Sequence, residues 1–518
     1  MCSTYGKKHS STLKNRSDCA LTNVATTPKA ADHLHGRNFP IMRADTMSGT
    51  FISSISVRGL HGRLDFDVNL KSGVNIIYGK NGLGKTTLLH IIANLSEGDI
   101  DIFKHLNFSS IEIVNSEGRM VSLQSVNNEI SLKIDGDKTS YSGELSSLSE
   151  IEEESLFSIT GRRSTYLPAF RSILERMRDP GYYSPEDREN SSQIEEMRRR
   201  EIKALVGEIR SDLSARRRRA ETARHNILKT IRCRQWFGSF VPVIRYPSII
   251  DVIDGLTDEY EWAQLTISQM EQKQFENAFV DIFSAIAGGG TNSTVSGEED
   301  GTESLSQSGL LDRIRELVTN DEETSIGPPA NTTYTRLVGA VQSTDSDNSS
   351  HNSLLQIYVR ILEERRRNRE VVMRPINAFQ DSVNEFLNDK SLTISDVSIE
   401  RSLPRRRISP HVSPDDGRPY NLKALSSGER QIVTMLYSAS RSDFKAGCLL
   451  IDEPELSLHI DWQRNIISYL EKQFEGRQII ACTHSPEVGA DHEANVQFFA
   501  PSIVQVDSNY SNSDIEDI

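Results

Sequence analysis

The sequence predicts an α/β protein that carries an antiparallel β subdomain and a long helical insertion. Short β-like runs separated by turn residues begin at Phe51, a glycine-rich loop joins an apolar run to a helical one, and a later apolar run ends in carboxylates. Such a succession of strand and helix patterns is typical of an α/β fold. Because 518 residues exceed one ordinary domain, we expect several domains or one large domain with insertions.

The composition excludes several classes of protein. The 59 Lys+Arg and 73 Asp+Glu residues leave a formal net charge of −14, which argues against a surface that coats nucleic acid throughout. The chain holds no apolar run of about 18 to 20 residues, the length of a membrane span, and its first residues lack a signal-peptide pattern. Its five cysteines form no CxxC pair. We therefore expect a soluble cytoplasmic protein that does not bind membranes.

Residues 1–50 are expected to form a disordered tail. They are rich in Ser, Thr, Lys, Asn and Ala and lack apolar periodicity, so they cannot bury enough surface to offset the entropy of ordering. Met47 stands just before the first strand-like run and is an alternative start of translation. A basic targeting arm is the other interpretation of this segment.

An N-terminal lobe is predicted over residues 51–178. Alternating apolar residues and intervening glycines indicate β-strands, and the later strands suggest an antiparallel meander. A helix is predicted over 86–95, directly after the glycine-rich loop. The predicted strands are 51–57, 64–70, 74–78, 111–114, 119–123, 130–134 and 164–167.

Residues 179–389 are predicted to form a helical insertion with two recognisable helices. The later one, over 354–387, should bend at Pro375, because proline removes a backbone donor. Segments 288–308 and 342–353 are rich in Gly, Ser, Thr, Asn and acidic residues and are expected to be flexible loops. The first helix shows an apolar stripe at spacings of three and four residues, formed by Ile202, Leu205, Ile209 and Leu213.

The loop at residues 79–86 fits the phosphate-binding pattern GxxxxGK[ST] between an apolar strand and a helix, and it predicts a P-loop NTPase. Glycines let the backbone curl so that N–H groups point at phosphate oxygens, and the helix N-terminus adds the positive end of its dipole. Lys85 is expected to pair with the β- and γ-phosphates of ATP, and Thr86 to ligate Mg²⁺. The predicted nucleotide-binding residues of this loop are Gly79, Asn81, Gly82, Gly84, Lys85, Thr86 and Thr87.

A second strand, within residues 448–455, is predicted to carry acids to the same edge of the sheet. It is apolar until Asp452 and Glu453, as is typical of a buried strand that ends at a site. Asp452 is expected to complete the Mg²⁺ shell, and Glu453 to polarise the attacking water.

Residues 425–431, which read Leu-Ser-Ser-Gly-Glu-Arg-Gln, open a helical run between these two motifs. Here the sequence resembles the ABC-type ATPases, whose signature reads LSGGQ or LSSGE. The resemblance implies a P-loop NTPase of ABC/SMC-head type in which Ser426 and Gly428 contact the γ-phosphate bound by the opposite subunit. It therefore implies a homodimer or a higher even-numbered assembly.

The strand that ends at His484 resembles the strand before the switch histidine of the same family. This resemblance implies that His484 contacts the γ-phosphate and the attacking water. The family also has a glutamine-bearing loop, but the segment 166–171, at its expected place, contains no Gln. The loop over 455–459 resembles the one that communicates between subunits, and its residues receive no individual roles.

The position of the signature indicates a branch of the family. A long insertion separates it from the phosphate loop, which resembles the SMC-like and RecF-like ATPases. Four segments together resemble the ATPase subunit of Septu-type antiphage systems and of retron-associated relatives. They are the His61-Gly62-Arg63 turn, the phosphate loop, residues 166–168 and the signature. The C-terminal lobe is predicted over 390–505, followed by an acidic tail over 506–518.

The OLD-type defence ATPases continue into a Toprim nuclease, whereas about thirty residues follow Ser485 here. We expect no nuclease activity from this chain. The Septu resemblance implies a separately encoded partner nuclease of HNH type.

Basic residues concentrate in the insertion and permit two interpretations. They can contact the phosphates of DNA or of a retron-type RNA–DNA molecule, or they can form a solvated helix face paired with nearby acids. A second cluster stands at 405–407. The first cluster consists of Arg198, Arg199, Arg200, Lys203, Arg210, Arg216, Arg217, Arg218, Arg219, Arg224, Lys229, Arg232 and Arg234.

Three functions are compatible with the sequence. The leading hypothesis is an antiphage defence ATPase whose heads dimerise on ATP and regulate a nuclease effector. The alternatives are a RecF/SMC-like ATPase of DNA repair or maintenance, and an ATP-sensing scaffold with incidental turnover.

Overall fold

A computed structural model describes residues 50–126, 129–135, 150–161, 163–174, 213–287, 307–321, 348–396, 408–440, 447–474 and 476–504. In chain order the strands are β1 (Ile52–Leu60), β2 (Leu64–Asn69), β3 (Val74–Tyr78), β4 (Ser110–Asn115), β5 (Met120–Val126), β6 (Glu129–Ile134), β7 (Thr165–Leu167), β8 (Lys390–Asp396), β9 (Ile408–Pro414), β10 (Tyr420–Asn421), β11 (Leu449–Asp452), β12 (Ile479–Thr483), β13 (Val496–Phe498) and β14 (Ser502–Ile503).

The helices are α1 (Lys85–Ser96), α2 (Glu150–Thr160), α3 (Arg171–Leu174), α4 (Leu213–Phe237), α5 (Ile249–Ala287), α6 (Gln307–Asp321), α7 (Asn348–Asn384), α8 (Ser427–Ser440) and α9 (Ile460–Gln473). Short 3-10 helices lie at Asp101–His105, Leu422–Ala424, Pro486–Gly489 and Glu493–Asn495. Among the described residues, every helix is too short or too polar to cross a bilayer.

A parallel sheet lies at the centre of the fold, with the strand order β13-β3-β12-β11-β7. The strands β11 and β12 are buried at every residue, as expected where both faces of a parallel sheet are covered. Because β3, β12 and β11 are adjacent and parallel, their C-terminal ends meet at one edge. The phosphate loop, the acids and His484 follow these three strands and therefore converge there.

A six-stranded sheet with the order β14-β2-β1-β4-β5-β6 lies beside it, and all its neighbouring strands are antiparallel. The predicted meander is confirmed as β4, β5 and β6, and buried residues alternate with more exposed ones along β4 and β6. The structure thus has the predicted α/β class, with a parallel sheet at its centre, an antiparallel β subdomain and long helices in the middle of the chain.

The long helices α5 and α7 pack together and are joined by an ion pair between Arg365 and Glu271 (2.6 Å). The second predicted helix is confirmed as α7, which continues uninterrupted through Pro375. The loop prediction is wrong for residues 348–353 and 307–308, which form the first turns of α7 and α6. Extending a helix that is already nucleated costs little, so polar residues suffice at its end. The apolar stripe residues Ile202, Leu205 and Ile209 lie outside the described residues.

The base of the insertion, residues 226–246, is anchored on the C-terminal end of α1. Arg245 makes a bidentate ion pair with Glu97, in which Nη1 donates to Oε1 (2.5 Å) and Nη2 donates to Oε2 (2.7 Å). The side chain of Asn94 donates to the carbonyl of Phe240 (3.0 Å). The hydroxyl of Tyr246 hydrogen-bonds to Thr434 in α8. The insertion base therefore contacts both the phosphate-loop helix and the signature helix.

Two members of the predicted basic cluster have structural roles instead. Lys229 is 1% exposed, donates to the carbonyl of Tyr246 (3.0 Å) and lies 3.6 Å from Asp251. Arg234 lies 3.5 Å from Asp99 and donates to the carbonyl of Val241. Phosphate contact and solvation are wrong for these two residues, because the helix turns them inward, whereas their pairing with acids agrees with the second interpretation. Residues 198–210 and 405–407 lie outside the described part of the chain.

Candidate functional site

The phosphate loop links the end of β3 to α1, and its glycines are needed for steric reasons. Gly82 and Gly84 have φ angles of 79° and 94°, in the left-handed region where side chains are strained. A Cβ atom on Gly79 would come within 2.9 Å of the carbonyl oxygen of Phe499. Asn81 is exposed and Thr87 is partly buried. The loop therefore has the backbone that a phosphate cradle requires.

Lys85 is the first residue of α1, and its side chain lies over the loop. Its Nζ donates to the carbonyl oxygens of Gly79 (2.7 Å) and Lys80 (2.9 Å), and the residue is buried. An ammonium group has three donors, so one remains for another acceptor. This arrangement suits a lysine that pairs with phosphate oxygens.

Thr86 and Asp452 meet directly, although 366 positions separate them in the sequence. The hydroxyl of Thr86 lies 3.1 and 3.0 Å from the two carboxylate oxygens of Asp452. Burial raises the pKa of Asp452 to about 6, which the Thr86 hydrogen bond partly offsets. This donor set is made only of oxygen, as Mg²⁺ prefers. A bound divalent cation would favour the ionised carboxylate.

Glu453 follows with a strained backbone. Its φ angle is 48°, which is uncommon for a residue other than glycine. Its N–H donates to the carbonyl of Cys482 in β12 (2.8 Å), and its Oε1 lies 3.6 Å from Nδ1 of His484. Strain of this kind persists where the surroundings impose it, most often at functional sites.

Glu455, which received no individual role in the sequence analysis, organises the loop that carries His484. Its Oε1 accepts hydrogen bonds from the Thr483 hydroxyl (2.6 Å) and from the N–H groups of His484 (3.0 Å) and Ser485 (3.1 Å). The same oxygen lies 3.1 Å from Nδ1 of His484. Glu455 is 5% exposed, and its Oε2 has no hydrogen-bond partner within the described residues. The sequence signals for it were the two acids on either side of Pro454 and the resemblance of the loop over 455–459 to the family's loop between subunits.

Arg171 is a second residue that the sequence analysis missed. It is 0% exposed, and its Nη1 donates to the carbonyls of Pro168 (3.1 Å) and Asp452 (3.0 Å). Its Nη2 donates to the carbonyls of Glu453 (2.9 Å) and Pro454 (3.2 Å). The segment that lacks the family's glutamine therefore sends an arginine to the backbone of the acid strand.

The signature lies at the N-terminus of α8. The N–H of Ser426 donates to the carboxylate of Glu429 (2.8 Å) and the N–H of Glu429 to the Ser426 hydroxyl (3.4 Å), which is a reciprocal capping box. Gly428 packs against the loop after Glu453, since a Cβ atom there would lie 2.8 Å from the carbonyl of Ser457. Within the described chain, neither Ser426 nor Gly428 hydrogen-bonds to the phosphate loop of its own subunit.

The site thus consists of two parts. Lys85, Thr86, Asp452, Glu453 and His484 meet at one edge of the parallel sheet. The signature forms an exposed helix start held against the loop that follows Glu453.

Comparison with known proteins finds relatives that are named as ATPases. The retron Vc95 probable ATPase of Vibrio cholerae is 30% identical over 134 residues, which cover 23% of this chain and 24% of that protein. The DNA double-strand break repair Rad50 ATPase of Aeropyrum pernix is 27% identical over 153 residues, which cover 28% of this chain and 16% of that protein. These matches span about a quarter or less of the length of either relative.

Among solved structures, the Smc head domain with an extended coiled coil from Pyrococcus furiosus, bound to the C-terminal domain of ScpA, has a TM-score of 0.37 and 12% identity. The match covers 88% of this chain and 96% of that one. The model of the AAA ATPase domain family matches residues 51–488, which is most of the chain. The chain therefore belongs to the AAA ATPase domain family.

Proposed function

We propose that this chain binds ATP with Mg²⁺ and hydrolyses it at the edge of the parallel sheet. The observation that carries the proposal is the contact between Thr86 and Asp452, with Glu453 and His484 directly beside it. The hydroxyl and the carboxylate are suitable ligands for the metal ion. The glutamate and the histidine are suitable for activating the attacking water.

Each residue has a distinct task in this proposal. Lys85 pairs with the β- and γ-phosphates, while Thr86 and Asp452 hold Mg²⁺, which neutralises charge on the phosphate oxygens. Glu453 accepts a proton from the water that attacks, and the imidazole of His484 contacts the γ-phosphate. The strained backbone of Glu453, and the hydrogen bond that Glu455 accepts from the N–H of His484, fix these two residues before the nucleotide arrives.

We further propose that two heads close on two ATP molecules. Ser426 and Ser427 are exposed at the start of α8, where N–H groups and the helix dipole favour an anion. Because neither Ser426 nor Gly428 hydrogen-bonds to its own phosphate loop, the γ-phosphate of a second subunit is a suitable ligand. The resemblance to ABC-type ATPases supports this arrangement.

The biological role that we propose is an ATPase subunit of an antiphage defence complex, in which head closure or turnover regulates a separately encoded nuclease of HNH type. The name of the retron relative and the Septu resemblance support this role. Similarity to the Rad50 ATPase supports the alternative, a DNA repair or maintenance ATPase. An ATP-sensing scaffold is the third candidate.

ATP hydrolysis by the purified chain tests the first step. Glu453→Gln should retain ATP binding and nearly abolish turnover, because the amide keeps the shape of the side chain but cannot accept the proton. Lys85→Ala should lose nucleotide affinity. Equal turnover by the wild type and Glu453→Gln would remove Glu453 from this role. A Glu453→Gln variant that stays fully active in cells would favour the scaffold.

A further inference from the structure

The carbonyl clamp is the set of backbone oxygens of Asp452, Glu453 and Pro454 that Arg171 binds. These are three consecutive carbonyls at the point where the acid strand ends and its backbone turns. The planar fork of a guanidinium presents five donors at fixed angles, so one side chain can fix several oxygens at once. Arg171 therefore determines the direction in which this turn leaves the sheet.

Glu453 is held from both sides of its α-carbon. Its N–H is bound by the carbonyl of Cys482 (2.8 Å) and its carbonyl by Nη2 of Arg171 (2.9 Å). With both peptide groups fixed, the left-handed φ of 48° is imposed, and the side chain must leave the backbone in one direction. Without the arginine, the peptide after Glu453 would be free to relax toward an unstrained conformation.

The burial of Arg171 indicates that it is not an incidental contact. Desolvation lowers the pKa of its guanidinium, although arginine keeps its charge in proteins. A buried charge is costly unless its surroundings compensate it. Here the compensation comes from carbonyl oxygens and from the nearby carboxylates of Asp452, Glu453 and Glu455.

The residue before Arg171 links it to the insertion. The ring of Phe170 stacks on that of Phe237, the last residue of α4, with centroids 4.0 Å apart and planes inclined by 12°. The same helix is tied to the end of α1 through Arg234 and Asp99. A shift of α4 would therefore change the position of Phe170 and of the adjoining Arg171.

We propose that Arg171 is a positioning residue that holds Glu453 in its hydrolytic conformation, and that the Phe170–Phe237 stack makes this conformation depend on the seating of α4. A partner bound to the insertion can thereby change the rate of hydrolysis without changing the affinity for ATP. This inference rests on the proposed role of Glu453.

The test uses the full-length protein and the variant Arg171→Lys, which keeps the charge but cannot bind several carbonyls at fixed angles. We expect kcat to fall by about 100-fold, the effect of a small misplacement of a catalytic group, while the Kd for ATP changes by less than about 3-fold. In the Glu453→Gln background, the same substitution should cause no further loss in single-turnover hydrolysis of labelled ATP, because both changes remove one function.

Three outcomes would overturn the inference. The first is a kcat of Arg171→Lys equal to that of the wild type. The second is a loss of ATP affinity in Arg171→Lys as large as the loss of kcat. The third is a double variant whose rate falls by the product of the effects of Arg171→Lys and Glu453→Gln. If the wild type itself fails to hydrolyse ATP, the proposed function fails rather than this inference.

A second variant keeps the test decisive if Arg171→Lys does not fold. Phe237→Ala removes the stack at a residue that is 42% exposed, and Phe275→Ala, at an aromatic residue of α5 that is 73% exposed, is its control. Phe237→Ala should lower kcat several-fold at unchanged Kd for ATP, whereas Phe275→Ala should leave both unchanged. Equal kcat values for these two variants would remove α4 from the proposal.

Discussion

His484 and Glu455 form a close pair in which Nδ1 of the imidazole lies 3.1 Å from the buried Oε1 of the carboxylate. The carboxylate favours a proton on Nδ1, which fixes the tautomer and leaves Nε2 for another partner. Glu453 lies slightly farther from the same nitrogen, at 3.6 Å. The imidazole is thus oriented by an acid that the proposed chemistry does not itself use.

Glu455→Gln should lower kcat by about 10- to 100-fold while leaving the affinity for ATP nearly unchanged, because the amide no longer sets the tautomer of His484. Steady-state hydrolysis and nucleotide-binding titrations measure the two quantities. Glu487→Gln is the control, since Glu487 pairs with Arg464 outside the site (2.6 Å). Wild-type kcat in Glu455→Gln would show that the orientation of His484 does not need this acid.

The raised pKa of Asp452 predicts that its ionisation destabilises the folded protein at neutral pH. Its pKa of about 6 exceeds the ordinary value of 3.8, so the folded state binds its proton more tightly than the unfolded state does. The stability that this gives is fully present below pH 3.8 and is lost as the pH rises through about 6.

Asp452→Asn should therefore raise the free energy of unfolding of the nucleotide-free protein at pH 7.5 by about 1 to 3 kcal/mol. The gain should shrink as the pH falls from 6 to 4, and Mg²⁺-dependent turnover should be lost at every pH. Urea unfolding in EDTA at several pH values measures the first effect. A pH-independent difference would mean that Asp452 is not the group responsible.

Gly428→Ala should destabilise the protein and weaken the signature together. The added Cβ would meet the carbonyl of Ser457 at 2.8 Å, so α8 or the loop after Glu453 must shift, at a cost of about 1 to 3 kcal/mol. Ser427→Ala, one position earlier at an exposed residue, is the matched control. Thermal unfolding compares the two, and an equal melting temperature would contradict the close packing.

The part of this site that the sequence predicted follows from local pattern. Gly79 to Thr86, Asp452 and His484 each stand at the end of an apolar run, and the adjacency of β3, β12 and β11 brings those ends together. Arg171 and Glu455 could not be predicted, because most of their partners lie at or just beyond the ends of β11 and β12, in segments distant in sequence. In the same way, nothing in the sequence distinguishes Lys229 and Arg234 from the solvated basic residues around them. Their inward orientation depends on how α4 packs against its neighbours.

Two larger elements were predicted incompletely or not at all. The helix α5 lies in the segment predicted to be helical, but its bounds were not predicted: it begins with β-branched residues and a glycine, and its stability comes from packing against α7. The sheet β10-β9-β8 pairs distant segments, and the side chain of Asn384 accepts from the N–H of Leu392 (2.6 Å). The domain boundaries at 178, 389 and 505 stay predictions.

Ser426 should act across a dimer interface. A mixture of Lys85→Ala and Ser426→Arg subunits should recover part of the ATPase activity that each variant lacks alone, because both defects fall in one composite site and leave the other site intact. Hydrolysis measured against the mixing ratio gives the result. A Glu453→Gln protein that stays monomeric with ATP in light scattering would contradict the composite site.

The final prediction separates nucleic-acid or partner binding from ATP chemistry. Arg216 to Arg219 lie in α4, whereas Asp452 and Glu453 lie at the end of β11, at the edge of the parallel sheet that carries the phosphate loop. Charge reversal at these four arginines should weaken binding of labelled DNA or of the partner and leave basal ATPase activity intact, with a reduced dependence of DNA binding on salt. Arg234→Glu is the contrasting control, since it breaks the ion pair with Asp99 and should instead destabilise the fold.

The purified chain should not cleave DNA in these assays, and we expect toxicity or phage resistance to require a separately encoded effector. Magnesium-dependent cleavage by this chain alone, abolished by a substitution within it, would overturn the division of labour between an ATPase and a separate nuclease. Unchanged DNA and partner binding after charge reversal would place the docking surface elsewhere on the molecule.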